Sequence, residues 1–435
     1  MDNEPETVRC FAVCRDITPD LPISLAGYFG RVKQSNTVVS PLELNLAVIS
    51  GPDAEPVFIL QGDVLSMGMI PREAARAAGI PDERFLSVAS HTHFAPAVDE
   101  ALPLLGSVDT QYLSRFREIL TGMFDEAIAK FETAQACRFF YSEVGCELAI
   151  NRRKVIVPRN RFGWPKIPRM SNHPNEKGPT DNFLKMIVVR RVSDGLPVSI
   201  LWSFACHPVA YPKMLSVTSE FIGHVRERLR KTVGEKISVV YLPGLMGNQR
   251  PRLLSPNYPG LLGAFFARVN GPRFHCGSVE DWEKWANLLA DKAASALETA
   301  APIETTGRLS AAHITVPLAN FAAGAKTREV DFQVIDIEGV AQIVSVSAEP
   351  VVELGALFKQ VFTADRVLAT GYTDSIFGYI PVTSMLAEKG YEDMRFRTAF
   401  SLPSLKFYND LNDRFVKSLS ALKLKLDGCK PQGGN

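Results

Sequence analysis

Apolar, β-prone runs recur along this chain, and several stop at a residue able to do chemistry; that pattern narrows the fold more than any other feature. The stretch "FLSVASHTHFAPAV", residues 85 to 98, sets His91 and His93 one residue apart at the end of such a run. Residues i and i+2 of a strand share a face. A strand continuing through Thr92 therefore presents both imidazoles together, as a metal grip, as a metal ligand beside a substrate contact, or as a hydrogen-bonded pair. "LWSFACHPVAY" repeats the design: an apolar run ends at His207 and is stopped by proline. In "VSVSAEPVVE" the run ends at Glu349, and a carboxylate closing a buried strand needs a partner. Two histidines and a glutamate from separate strand ends compose a candidate zinc set. Asp63, which ends "VFILQGD", is a candidate to orient a ligand histidine from behind.

Between these runs lie helical patterns. "DTQYLSRFREILTGMFDEAIAKFETA" repeats Tyr112, Phe116, Ile119, Leu120, Met123 and Ala127 at spacings of three and four. "SEFIGHVRERLRKTV" buries Phe221, Ile222, Val225 and Leu229, and "PREAARAAG" reads as a short helix opened by proline. "ELNLAVIS" and "PVFILQGDV" read as a hairpin-like pair, and "HITVPLA", "EVDFQVIDI" and "AQIVSVSAE" as later strands. No repeat or low-complexity linker divides the chain. The expected architecture is α/β in the mixed α+β sense: mixed β-sheets flanked by helices, in one two-lobed catalytic unit over residues 1–435. Residues 151–182, rich in turn formers and cations, are expected to form a long loop bordering the site.

Charge excludes some partners. With 48 basic and 47 acidic residues and no long run of either sign, there is no electrostatic case for nucleic acid or an anionic membrane. No apolar run reaches spanning length, so no integral membrane segment is expected. "MDNEPETVRC" lacks the order of a secretory signal, which points to a cytoplasmic protein, and seven scattered cysteines point to reduced thiols. His173, His224, His275 and His313 read as structural or solvated.

Seven segments in order, "DITPDLPISLAGYFGR", "ASHTHFAPA", "INRR", "ACHPVAYPKMLSVTSEFIG", "LPGLMGNQRP", "SAEPVVELG" and "ATGYTDSIFGYIPVTSMLAEKGYE", resemble the neutral, non-lysosomal ceramidase family. The resemblance implies a zinc (Zn2+) amidase of sphingolipid metabolism that cuts the N-acyl bond of a lipid-like or other small-molecule amide with a zinc-activated water. It implies His91, His207 and Glu349 as zinc ligands and Tyr379 as the fourth, with Tyr372 the alternative ligand and otherwise a substrate contact. It implies His93 as catalytic or oxyanion-contacting and Arg152 as facing the substrate carbonyl. The sequence departs from the family twice. "GNQRPR" places Arg250 where the family has a serine, which points to an anionic substrate bound by that guanidinium. The C-terminal β-sandwich domain that ceramidases carry is not expected within residues 1–435. Two other readings stay open at this level: a ceramidase-like metal or small-molecule binding protein without amidase activity, and a hydrolase of another anionic substrate.

Overall fold

Runs such as "ELNLAVIS" and "VFILQG" lack polar alternation because the strands they form, Glu43–Ser50 and Val57–Gly62, are covered on both faces. The computed structural model of the protein describes residues 8–429 apart from 53, 276 and 326, so Cys276 and the first seven residues lie outside the described residues. Its larger sheet has nine strands. In spatial order these are Ser238–Pro243, Pro197–Phe204, Phe183–Arg191, Gln135–Gly145, Val8–Asp16, Glu43–Ser50, Val57–Gly62 and Phe85–Ala89, with Ala301–Pro302 paired to Gln135–Gly145. Pairing is antiparallel through the middle and parallel at both ends. Each parallel pair is joined by a helical crossover, Ile70–Ala77 at one end and Glu220–Val233 at the other, as parallel strands require.

The sheet coils until its ends meet. Ser238–Pro243 packs on Glu43–Ser50, Val57–Gly62 and Phe85–Ala89, and the Asn45 side-chain oxygen accepts from the Val239 amide at 3.2 Å. One face lines a core in which Ile59, Leu86 and Leu242 meet Ile335, Ile343 and Leu368 of a second sheet. That second sheet has the order Leu309–Pro317, Glu329–Ile337, Ala341–Val346, Val367–Thr370 and is covered outside by the helix Leu411–Gly428. On the other face of the large sheet lie Thr110–Phe131 over one half and Glu220–Val233 with Val279–Thr299 over the other. Thr110–Phe131 starts where the Asp109 carboxylate accepts from the Tyr112 amide at 2.9 Å, leaving one free helical N–H fewer. Mixed sheets flanked by helices are thus observed.

Residues 151–182 are not a loop. Ala149–Ile156 and Arg169–Asn175 pair as an antiparallel hairpin, and Gln249–Pro251 adds to its edge. The segment hides its strands because the buried side chains, Arg152 and Arg153 among them, are charged, and ion pairs with Glu392 and Glu388 replace the usual apolar alternation. Among the described residues no cysteine is in a disulfide, and no helix is long and apolar enough to cross a membrane.

Candidate metal centre

The strand Phe85–Ala89 ends two residues before His91, which takes the left-handed conformation at φ 64°. The expected in-phase strand through Thr92 is therefore absent, yet the His91 and His93 rings still lie 5.1 Å apart, brought together by this turn rather than by pleating. A non-glycine residue held at positive φ stores strain that surrounding contacts must hold; the Ser90 and His91 amides do so by donating to the Gly62 and Val64 carbonyls at 2.8 and 3.0 Å. His207 follows Pro197–Phe204 at the opposite end of the sheet, and coiling brings its ring within 4.8 Å of His91. Ligands gather at the carboxyl ends of parallel strands in such sheets.

The two rings are oriented alike. His91 Nδ1 lies 2.7 Å from the Leu65 carbonyl and His207 Nδ1 3.1 Å from the Met246 carbonyl. A carbonyl only accepts, so each Nδ1 donates to it and each Nε2 is turned inward. Both Nε2 atoms face one Glu349 oxygen, at 3.3 Å from His91 and 3.5 Å from His207. Burial, with His91 and Arg152 nearby, holds His207 well below the usual histidine range, so it offers no proton to the carboxylate. His207 Nε2 and that Glu349 oxygen are buried without a hydrogen-bond partner. Acceptors packed this way repel unless a cation sits among them. Bonds of the zinc–nitrogen or zinc–oxygen length imply tetrahedral edges of about 3.3–3.5 Å, the spacing these atoms already have. Asp63 does not take part: it accepts from the Glu43 amide, Gln61 and Arg226, so carbonyls rather than a carboxylate orient the histidines.

Glu349 begins a two-residue strand paired in parallel with Tyr379–Ile380, which places Tyr379 beside it. Tyr379 lies beside Glu349 and under the Arg152 guanidinium, 5.4 Å from its ring centre, and its ring stacks near His207. Tyr372 sits after Val367–Thr370, at φ 63°, with its ring 4.5 Å from His91 and its buried hydroxyl unpartnered. Burial first, then the Glu349 charge, pushes both phenols well above their ordinary range.

His93 lies above these groups with both ring nitrogens buried and unpartnered. Burial, then His91, Arg31, Arg152 and Arg250, holds it well below the usual range, hence neutral. Gly27, at φ 106°, lets the chain pass beneath it: a Cβ there would come within 2.6 Å of the His93 ring. The Arg152 guanidinium lies between the Tyr379 and Tyr391 rings, 5.4 and 5.5 Å from their centres, and donates to Glu392 at 3.0 Å. Its Nη2 is buried and has no partner. Arg250 lies on Gln249–Pro251, with its guanidinium 4.5 Å from the Phe274 ring centre. Sequence reasoning missed Glu392, Tyr391, Gly27 and Arg31. The first two lie in a π-helical turn, Tyr391–Arg395, whose polar sequence carries no period to read.

Among the described residues two groups have metal-like spacing: His91, His93 and His207, of which His93 is half-buried, and the buried His313, Asp331 and Asp374. The second is already satisfied. Arg72 donates to both Asp374 oxygens at 3.1 and 2.8 Å, Ser87 donates to Asp374, and His313 and Thr315 bond Asp331. The first, by contrast, holds buried ring nitrogens without a partner, both of His93 and Nε2 of His207.

No protein-family model and no curated protein matches this sequence. Solved structures do. Neutral ceramidase from Pseudomonas aeruginosa aligns with a TM-score of 0.73 at 12% identity, over 99% of this chain and 76% of the ceramidase chain. The fold is that of a neutral ceramidase. A ceramidase complexed with C2 aligns equally well, at 13% identity over 99% of this chain and 77% of its own. At such identity the likeness speaks to the ceramidase fold, and the chemistry rests on the site itself.

Proposed function

We propose that this chain is a zinc-dependent amidohydrolase that cleaves an N-acyl bond, with residues 1–435 as one catalytic unit. The reading rests on one observation: the His91 and His207 Nε2 atoms converge on one Glu349 oxygen at 3.3 and 3.5 Å in a buried site where neither His207 Nε2 nor that oxygen has a hydrogen-bond partner. His91, His207, Glu349 and Tyr379 would hold the metal; a nitrogen and oxygen set of four suits zinc. Bound zinc supplies Lewis acidity and makes water a nucleophile near neutral pH.

The chain's own groups supply the rest. Arg152 brings a charged donor with an unused N–H, clamped by Glu392, and an oxyanion forming at the substrate carbonyl is the partner it lacks. His93 is neutral with both nitrogens unpaired, so it can accept a proton at one and donate at the other as the tetrahedral state forms and collapses. Tyr372 offers an unpartnered hydroxyl to the substrate beside His91. Each preorganised donor of this kind is worth about 3 kcal/mol. No serine nucleophile is needed, so Arg250 at the serine's place is compatible with turnover.

A second reading concerns the substrate. Arg31, Arg152 and Arg250 all act on His93, and a site under three guanidinium groups favours an anionic acyl or amine portion. The test is a panel of N-acyl amides, neutral and anionic, assayed with the protein as purified, after chelation, and after zinc is returned. Hydrolysis that chelation abolishes and zinc restores is expected. A metal-loaded protein inert towards the whole panel would refute amidase activity and leave a binding protein of ceramidase fold.

A further inference from the structure

The chain is electrically balanced overall, but its charges are segregated. Residues 21–42, 151–175, 207–219 and 252–279 contain none of the 47 acidic residues. Two of these segments form one surface. The Asn270 side chain bonds the Val157 amide and carbonyl at 2.9 and 3.0 Å, the Arg159 guanidinium donates to the Pro259 carbonyl at 2.8 Å, and the same guanidinium stacks on Tyr258 and Phe266. This joins the tip of the hairpin Ala149–Ile156/Arg169–Asn175 to the helix Gly263–Asn270.

What that surface exposes is unusual for a water-facing loop. Phe162, Trp164 and Ile167 are 71%, 62% and 86% exposed on the hairpin tip. Phe265 and Val269 line the open side of the helix at a spacing of four, and Leu261 projects just before it. Arg161, Lys166, Arg169 and Arg268 stand exposed among them. Apolar patches of this kind mark contact sites. Aromatic and aliphatic side chains interleaved with cations, without a carboxylate, match the boundary of an anionic bilayer: Trp and Phe settle at headgroup depth while Arg and Lys meet lipid phosphates.

The patch is built onto the candidate site. Its hairpin runs back through Arg153 and Arg152 to Glu392, and Phe274, at the end of the helical segment, carries the Arg250 guanidinium. The same mixture recurs at His93: Arg31 donates to the His93 and Met214 carbonyls at 2.8 and 3.1 Å, and exposed Phe29, Val32 and Met214 stand beside Lys33 and Lys213.

We propose that the hairpin tip 157–168 and the segment 261–269 form a docking face for an anionic lipid surface. This goes beyond the hydrolase reading and is tested without turnover. The full chain is sedimented with phosphatidylcholine vesicles and with vesicles containing about one third phosphatidylserine. Binding confined to the anionic vesicles, and weakened by salt, is expected. The pair Arg161→Glu with Lys166→Glu should lower partitioning at least about tenfold. Phe162→Ser with Trp164→Ser should do the same, and both variants should keep the parent's melting temperature, since the sites are exposed. No binding to either vesicle, or equal binding to both, would overturn the proposal. So would retention on heparin without vesicle binding, which would make the partner a soluble polyanion, or self-association that explains the patch as a contact between copies.

Discussion

His91 and His207 each give one ring nitrogen to a backbone carbonyl and thereby aim the other at Glu349, so the chemistry of the centre is set by two main-chain oxygens, of Leu65 and Met246. Arg250 is the residue most open to trial. Its guanidinium is stacked on Phe274 and acts on His93, so Arg250→Ser should raise KM for anionic amides about tenfold while leaving kcat within about twofold, because it removes binding rather than transition-state contacts. Unchanged KM for anionic and neutral substrates alike would make Arg250 a surface arginine. His91, His207 and Glu349 were legible because each ends an apolar run and a polar residue there stands out. Glu392 was not: its role is set by contact with Arg152 across 240 positions of chain, and nothing local marks it.

At the scale of elements, the loop after Val367–Thr370 concentrates strain, with Tyr372 and Asp374 both at positive φ, 63° and 47°. Arg72 and Ser87 hold it through Asp374, both ends of the ion pair being buried. Asp374→Ala would remove the buried bidentate partner of Arg72 and leave it only the longer ion pair with Asp82 at 3.7 Å, so a loss of about 3 kcal/mol is expected, read as a lower urea midpoint. An unchanged midpoint would mean that the clamp does not hold the loop. The Asp374 contact was invisible in sequence, as was the hairpin Ala149–Ile156/Arg169–Asn175, whose strands are held by ladder bonds and ion pairs in place of an apolar face. The long helix Thr110–Phe131 and the strand Glu329–Ile337 were readable for the opposite reason: their burial is written as period or as continuous apolar sequence.

Across the whole molecule, the candidate site comes together because the nine-stranded sheet coils and carries its two parallel ends together, while the separate two-stranded ladder Glu349–Pro350/Tyr379–Ile380 supplies Glu349 and Tyr379 and the loop after Val367–Thr370 supplies Tyr372. Element types and strand ends could be read along the chain; which ends meet depends on long-range pairing and twist, which no local pattern encodes. The proposed centre would draw on residues 91, 207, 349 and 379, so metal content would report on the site and on the assembled fold together. The most direct test is the zinc content of the purified full chain beside that of His207→Ala, with folding of both checked by circular dichroism. About one zinc per chain in the parent and less than about a tenth of that in a folded variant is the predicted result. A folded parent that takes up no zinc, or a His207→Ala protein that holds it as well as the parent, would contradict the metal centre on which the account rests.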